Sequence, residues 1–416
     1  MWRPLREAGT PRNRAPIYNA AAEKLIATRD ERMMAEAVKL GRLRKGRTAP
    51  NPAVGAVVAA GDRVLGKGFH ERAGAPHAEV VALEEAGAVA RGATLYVTLE
   101  PCTFEGKTPA CAPAVVRAGV KRVVVGTLDP HPRVSGEGVA MLARAGLRVE
   151  VGVRERECRH LVEDFAKVVT AGVPWVTAKF AASLDGKIAT RTGEAAWITG
   201  AAARRRAHRL RWKHAAVAVG AGTVKADDPR LTVRLRGHDA ADGPVRLVVS
   251  SRAAVPSGAR LFDESPGPPV WVACTARASG RDIARLTRLG VEIIMCEEEG
   301  GRVSLNPLLR ELAARGITSL LLEGGERLSG DFFDRDLVDR VVAFVAPKVI
   351  GGETAKSPVG GGGVEHPADA RNLVDVTYRS AGPDVMIEGY LTNVDDLFAG
   401  VPRIRGVYGH GAGREL

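Results

Sequence analysis

Apolar and polar positions follow two different rhythms along this chain. Short apolar runs rich in Val, Ala and Leu recur at Val54–Ala59, Thr94–Thr98, Arg122–Val125 and Leu147–Val151. Bounded by turn residues, they read as strands. Between them, helical spacing recurs at His77–Glu85, Pro109–Ala118 and Glu137–Ala145, after an earlier helix from Arg29 to about Leu43. That alternation predicts a sheet covered by helices. Residues 152–172 are charged and helical in character and close on Ala171-Gly172-Val173-Pro174, so they are expected to join two domains. A second alternation follows. Its strands are expected at Trp175–Phe180, Ala216–Gly220, Val245–Ser250, Val270–Ala273, Val291–Met295, Ser319–Leu322, Val341–Val345 and Val385–Tyr390. Its helices are expected at Gly200–Arg211, Gly280–Leu289, Leu305–Ala314 and Ser329–Phe333. The Gly-rich stretch Gly351–Gly363 reads as a flexible connection. The expected division is a mobile extension (1–28), a first α/β domain (29–151), a linker (152–174), a second α/β domain (175–392) and a tail (393–416).

The 416 residues suit two or three domains. No apolar run is long enough to cross a bilayer as a helix, so no membrane association is expected. The first 28 residues lack the apolar core of a secretory signal. Five scattered cysteines do not suggest a disulfide framework, and a cytoplasmic location is expected. The net charge of +12 is concentrated. Residues 1–48 hold 12 Lys or Arg against 5 Asp or Glu, and residues 204–236 hold 10 against 2. Such patches attract nucleic acid or phosphorylated small molecules, and composition does not separate the two.

One cluster carries recognisable chemistry. His77-Ala78-Glu79 opens a predicted helix, Pro101-Cys102 opens a loop, and Cys111 sits just inside the next helix. One His and two Cys provide three ligands for a tetrahedral Zn²⁺ and leave the fourth position to water, which is a catalytic design. Zinc lowers the pKa of its water towards ~7. Glu79 is placed to take the water proton and return it to a leaving group. Helix starts at both ligand clusters favour thiolate. Gly106-Lys107-Thr108 imitates the end of a phosphate-binding loop, but Pro101 occupies the place of the required glycine. Cys158, Cys274 and Cys296 have no partner nearby in sequence and read as ordinary thiols.

These residues also carry a family resemblance. GRTAPNPAVGAVV (46–58), GKGFHERAGAPHAE (66–79), LEPCTFEGKTPAC (99–111) and DPHPRVSGEG (129–138) resemble the deaminase half of the bifunctional riboflavin-biosynthesis deaminase–reductase family. KFAASLDGKIA (179–189), WITG (197–200), VGAGTVKADDPRLTVR (219–234), LLEGG (321–325) and APKVIGG (346–352) resemble its reductase half. The resemblance spans about residues 29–392. It implies a cytidine-deaminase-like α/β/α domain followed by a dihydrofolate-reductase-like α/β domain. It implies two activities: zinc-dependent hydrolytic deamination of 2,5-diamino-6-(5-phosphoribosylamino)pyrimidin-4(3H)-one, then NADPH-dependent reduction of the deaminated ribosylamine to the ribitylamino phosphate. Three departures stand out. Thr103-Phe104 replaces the Ser-His common after the first cysteine. His131 replaces the asparagine of Asp-Pro-Asn-Pro. Ala195 replaces a serine that contacts the reductase substrate in relatives.

No G-x-G-x-x-G dinucleotide fingerprint follows a strand. A strand running into Glu323-Gly324-Gly325, with a helix expected from Ser329, offers a place for phosphate. By resemblance, NADPH would contact Ala181, Trp197, Thr223, Asp227, Ser251 and the run Gly325, Glu326, Arg327, Leu328, Ser329, Gly330, Asp331. By the same resemblance Arg211, Leu231, Arg234 and Glu323, with Ala195, would contact the phosphorylated pyrimidine nucleotide. Lys179 and Asp227 are the candidates for proton handling, and a structural ion pair is the alternative for them. The other arginines of the Gly200 helix suit a solvated face. Three further readings stay open at this stage: a nucleic-acid-binding or editing protein, a zinc-stabilised scaffold, and a bifunctional enzyme with one silent domain. Aromatics are only 5% and do not interleave with the arginine runs, so no nucleic-acid partner is expected. A homo-oligomer stays open.

Overall fold

The computed structural model describes residues 27–106, 108–239, 241–263, 267–402, 404 and 406–408. All but the last two residues of the expected extension 1–28 lie outside the described residues. Thr28 caps α1 (Arg29–Gly41) instead. Its hydroxyl accepts the Glu31 N–H at 3.2 Å, while the Glu31 carboxylate accepts the Thr28 N–H at 2.7 Å. The first domain continues with β1 (Gly55–Ala60), β2 (Arg63–Phe69), α2 (Ala78–Ala86), β3 (Thr94–Leu99), α3 (Cys111–Ala118), β4 (Arg122–Thr127), α4 (Glu137–Arg144) and β5 (Arg148–Val151). Then come α5 (Glu155–Leu161) and α6 (Glu163–Ala171). The second domain begins with β6 (Trp175–Ser183), α7 (Ala201–Trp212), β7 (Ala216–Gly220), α8 (Ala221–Asp227), β8 (Val245–Val249), β9 (Val270–Cys274), α9 (Gly280–Arg288) and β10 (Glu292–Met295). It goes on with β11 (Glu298–Glu299), β12 (Arg302–Val303), α10 (Leu305–Ala314), β13 (Ser319–Leu322), α11 (Glu326–Asp334) and β14 (Arg340–Ala346). The antiparallel hairpin of β15 (Val374–Ala381) and β16 (Asp384–Tyr390) follows, and β17 (Gly406–Tyr408) ends the described chain.

The first sheet has the order β17-β5-β4-β3-β1-β2, with β3, β4 and β5 parallel. Its central strands are buried on both faces, as their near-continuous apolar runs require. Leu95, Val97 and Leu99 of β3 enter one core, and Tyr96 enters the other beside Met34 and Val38 of α1. The second sheet has the order β10-β9-β8-β7-β13-β6-β14-β16-β15, parallel from β10 to β14. Here too the strand period of two sorts side chains: Ala216 and Ala218 of β7 face one core, and Val217 and Val219 the other.

Four expectations change. Residues 152–174 are not a free linker, because Leu161, Val162 and Ala166 are buried in the first-domain core. The described part of the expected tail, up to residue 408, is not merely a tail. Val394 and Phe398 enter that same core, and β17 pairs antiparallel with β5. The last helix of the second alternation starts at Glu326 rather than Ser329, directly after Gly325. The Gly-rich stretch is also seated: Gly360 N–H donates to the Glu326 carbonyl at 3.0 Å, and a Cβ on Gly330 would fall 2.4 Å from the Gly360 carbonyl carbon.

β2 was not apparent from the sequence, because glycines interrupt its pattern. Those glycines let α2 lie directly on the strand. A Cβ on Gly66 would sit 2.2 Å from the Ala82 carbonyl oxygen, and one on Gly68 would sit 2.1 Å from that of Ala78. The helix carrying Glu79 is thereby held against the sheet. Gly68→Ala is expected to cost about 1–3 kcal/mol through overpacking, read by denaturant unfolding. It should lower deaminase turnover while leaving reductase turnover intact.

Candidate functional site

Two cavities lie at the C-terminal ends of the parallel strands, where α/β sheets place their ligands. The first, of about 220 Å³, opens beyond β3 and β4. His77 is the N-cap of α2, and Cys111 is the first residue of α3. Cys102 reaches the same point from the loop after β3. Its carbonyl accepts the N–H groups of Cys111 and Ala112 at 3.1 and 3.0 Å, and its sulfur accepts the Cys111 N–H at 3.4 Å. The start of α3 is thus wrapped around Cys102, where the helix dipole favours negative sulfur.

His77 Nδ1 lies 3.0 Å from Cys111 Sγ and 3.6 Å from Cys102 Sγ, and the three donor atoms fall within 4.8 Å of one another. Ligands at zinc's usual bond lengths in a tetrahedron stand roughly 3.6 Å apart, so the donor set fits zinc. Thr108 Oγ1 lies 3.2 Å from His77 Nε2. With that hydroxyl accepting the Nε2–H, the Nδ1 lone pair is left for a metal. Cys102 is pushed down by the hydrogen bond from the Cys111 thiol, with His77 adding to the effect. The same hydrogen bond, with burial, raises Cys111. Glu79 is 3% exposed, and burial pushes its carboxyl up to about 7. A carboxyl in this range can both accept and donate a proton near neutrality.

Sequence reasoning missed other residues of this cavity, although most lie inside the quoted motifs. Asn51 Nδ2 lies 3.1 Å from His70 Nε2, and His70 Nδ1 lies 3.1 Å from the Pro76 carbonyl. The carbonyl must accept from Nδ1–H, so Nε2 accepts from the Asn51 amide. Asp129, also lining the cavity, is pushed up to about 7 by burial. Phe165 of α6 closes one side. Nothing in the spacing of the metal ligands pointed to a helix that far along the chain.

The second cavity, a groove of about 670 Å³, runs past the ends of β7, β8 and β13. Of the expected cofactor contacts, Thr223, Asp227, Ser251, Gly325, Glu326, Arg327, Leu328 and Asp331 line it, as does Ala195. Gly325 N–H donates to Thr223 Oγ1 at 3.1 Å, tying the starts of α11 and α8 together along the groove. This volume and the small residues on its floor fit an extended dinucleotide. Burial raises the Asp227 carboxyl, while Lys356 nearby opposes the shift. Ser329 and Gly330 are buried in α11, Ala181 packs beside Val342 and Phe344, and Trp197 stands 69% exposed under the Arg204 guanidinium.

Two of the expected substrate residues, Arg211 and Glu323, form a largely buried cluster with Lys179, whereas Ala195 lies in the groove and Arg234 is exposed. Arg211 Nε donates to Glu323 Oε1 at 2.7 Å and Nη2 to Oε2 at 3.0 Å, while Lys179 Nζ lies 3.2 Å from Oε2. Arg211 Nη1 donates to the Thr232 carbonyl at 3.1 Å, so most of this guanidinium already serves the protein. Burial alone would raise Glu323, but Arg211 and Lys179 outweigh it and hold the carboxyl well below the usual range. Leu231 is buried with φ of 58°. Arg234 N–H donates to His208 Nδ1 at 3.3 Å.

Comparison with known proteins agrees with this arrangement. Residues 27–127 match the cytidine and deoxycytidylate deaminase zinc-binding region, and residues 174–387 match the RibD C-terminal domain. The riboflavin biosynthesis protein RibD of Aquifex aeolicus is 43% identical over 327 residues, spanning 79% of this chain and 89% of that protein. Its counterpart in Bacillus amyloliquefaciens is 40% identical over 358 residues, spanning 86% and 95%. Among solved structures, Acinetobacter baumannii RibD superposes with a TM-score of 0.77 at 37% identity, covering 88% of this chain and 99% of that one. The Thermotoga maritima deaminase/reductase superposes at 0.75 with 36% identity, covering 87% and 98%. With relatives this similar along most of their length, and both domains present in order, the chain belongs to the RibD family of bifunctional riboflavin-biosynthesis deaminase–reductases.

Proposed function

We infer that the chain deaminates 2,5-diamino-6-(5-phosphoribosylamino)pyrimidin-4(3H)-one and then reduces 5-amino-6-(5-phosphoribosylamino)uracil to the ribitylamino phosphate. The observation that carries the first step is the convergence of His77, Cys102 and Cys111 beside the buried Glu79. Those three residues would hold zinc, which when bound makes water acidic enough to attack at neutral pH. Glu79 takes the proton of the attacking water and delivers it to the departing amino nitrogen, so ammonia leaves. Thr108 keeps His77 in one tautomer, and the walls of the cavity limit bulk water.

The second step uses the groove lined by Thr223, Asp227 and Gly325, the last of which lies two residues after Glu323. Thr223, Ser251 and the Gly325–Asp331 segment would hold NADPH there, which would supply the hydride for C1′. Opening of the ribose ring leaves its oxygen in need of a proton, and Lys179, held 3.2 Å from Glu323, is one candidate donor. Asp227, on the cofactor side of the groove, is the other. We assign Arg211, Arg234, Leu231, Glu323 and Ala195 to the substrate side. Arg211 acts chiefly by fixing Glu323. We also place the enzyme in the cytoplasm, working on a phosphorylated nucleotide with no nucleic-acid or membrane partner. Among the described residues no helix is long and apolar enough to cross a membrane.

The direct test supplies the diaminopyrimidine nucleotide with and without NADPH and follows products by mass: loss of the amino group alone without cofactor, and the ribitylamino phosphate with it. Glu79→Gln is expected to lower ammonia release about 10²- to 10⁴-fold and to leave NADPH oxidation by the deaminated nucleotide unchanged. Equal loss of both in a folded protein would break the two-site assignment. Thr108→Val should weaken zinc retention about 10- to 100-fold in competition with a chelator. Glu323→Gln leaves Lys179 and Arg211 without their counter-charge. It should cost about 3–5 kcal/mol of stability and depress NADPH oxidation while sparing ammonia release. Because the folded-state pKa of Glu323 is depressed, its contribution is full above the ordinary value of 4.5 and fades as pH falls below it. The stability gap between Glu323→Gln and the unaltered chain should therefore narrow in acid.

A further inference from the structure

Two departures from the family pattern, far apart in sequence, meet in the deaminase cavity. Phe104 follows the first cysteine ligand by two residues, and His131 lies in the loop after β4. Both line the cavity, with ring centroids 6.2 Å apart and planes tilted by 40°. The Arg133 guanidinium lies 4.9 Å from the Phe104 ring centroid. The family pattern carries imidazole at the first position and an amide at the second. Here an imidazole is lost from one wall of the cavity and gained on the wall beside it.

The backbone fixes the gained ring. Arg133 N–H donates to His131 Nδ1 at 3.2 Å, so the neutral ring carries its proton on Nε2. No hydrogen-bond partner for Nε2 is present among the described residues. The loop beneath is anchored. His131 N–H donates to Asp129 Oδ1 at 2.8 Å, and Asp129 N–H donates to Glu100 Oε2 at 3.1 Å. Glu100 also accepts the N–H groups of Gly136 at 2.9 Å and Val139 at 3.0 Å. Phe104 offers no polar atom. Its ring, set between His131 and Arg133, limits where the imidazole can turn.

We propose that His131 is a substrate-recognition residue of this deaminase site, its Nε2–H donating to an acceptor atom of the pyrimidine nucleotide while Phe104 holds the ring in place. The proposal rests on the deaminase function inferred above. It adds a contact that the metal ligands and Glu79 do not provide. A donor placed on a held backbone costs little ordering when the nucleotide arrives.

The test is a set of variants assayed for ammonia release, with zinc content and NADPH oxidation as controls for intact domains. His131→Phe keeps a ring and removes the donor. It should lower deaminase kcat/KM about 10- to 100-fold, mostly through KM. His131→Gln keeps an N–H and should recover part of that loss. The exchanged pair, Phe104→His with His131→Phe, returns imidazole to the other wall and should recover most of it. Should His131→Phe lose zinc, the Gln variant and the exchanged pair decide the matter. A His131→Phe enzyme within twofold of the unaltered chain overturns the proposal. So does an exchanged pair and a Gln variant both as impaired as His131→Phe. Failure of the unaltered chain to release ammonia at all would instead overturn the deaminase reading.

Discussion

Two helix N-termini meeting beyond one strand are the constraint on which the deaminase half depends. α2 begins at His77 and α3 at Cys111, and Cys102 leaves β3 between them. N–H groups without acceptors inside the helix, and the helix dipole, make that point electropositive. Negative charge on the Cys102 sulfur is favoured there, with the Cys111 thiol donating to it. The geometry follows from backbone contacts more than from the ligands. Gly66 and Gly68 admit α2 against β2, and the Cys102 carbonyl caps α3.

The two sites use buried glutamates in opposite ways. Glu79 is buried beside His77, Cys102 and Cys111, and burial dominates, so its proton is held up to about neutrality. Glu323 is largely enclosed too but faces Arg211 and Lys179, and their charge dominates. The first is suited to moving a proton, the second to staying ionised and holding cations in place. The same side chain takes two roles because the neighbours decide which form is cheaper.

The domains are joined by more than a segment of chain. Lys167 of α6 pairs with Asp339 just before β14, and Asp339 also accepts the Val176 N–H at 2.8 Å. Arg47, in the segment leading to Asn51, donates to the His214 carbonyl and lies 5.3 Å from the Trp212 ring centroid. A Cβ on Gly46 would fall 2.3 Å from the Lys213 carbonyl carbon, so the two surfaces touch at backbone level there. Trp175, the first residue of β6, is buried in the first-domain core, and β17 returns to the first sheet. The first domain is therefore completed by residues on both sides of the second.

The zinc ligands, Glu79 and both layered sheets were legible in sequence, because each depends on local spacing: a helix start, a two-cysteine interval, apolar runs of strand length. Most of the groove residues along α8 and α11 were legible through family motifs. β2 was hidden by the glycines that make it useful. The returns of α5, α6 and β17 to the first core were hidden because nothing local marks which core an amphipathic segment joins. The exclusive engagement of Glu323 by Arg211 and Lys179, and the meeting of Phe104 with His131, were hidden for a further reason. They are contacts between segments that the sequence keeps far apart, and only the packing of strands and helices brings their side chains within reach. Sequence alone fixed which chemical groups the chain possesses; the fold decided which of them face one another, and with that their charge, their proton and their task.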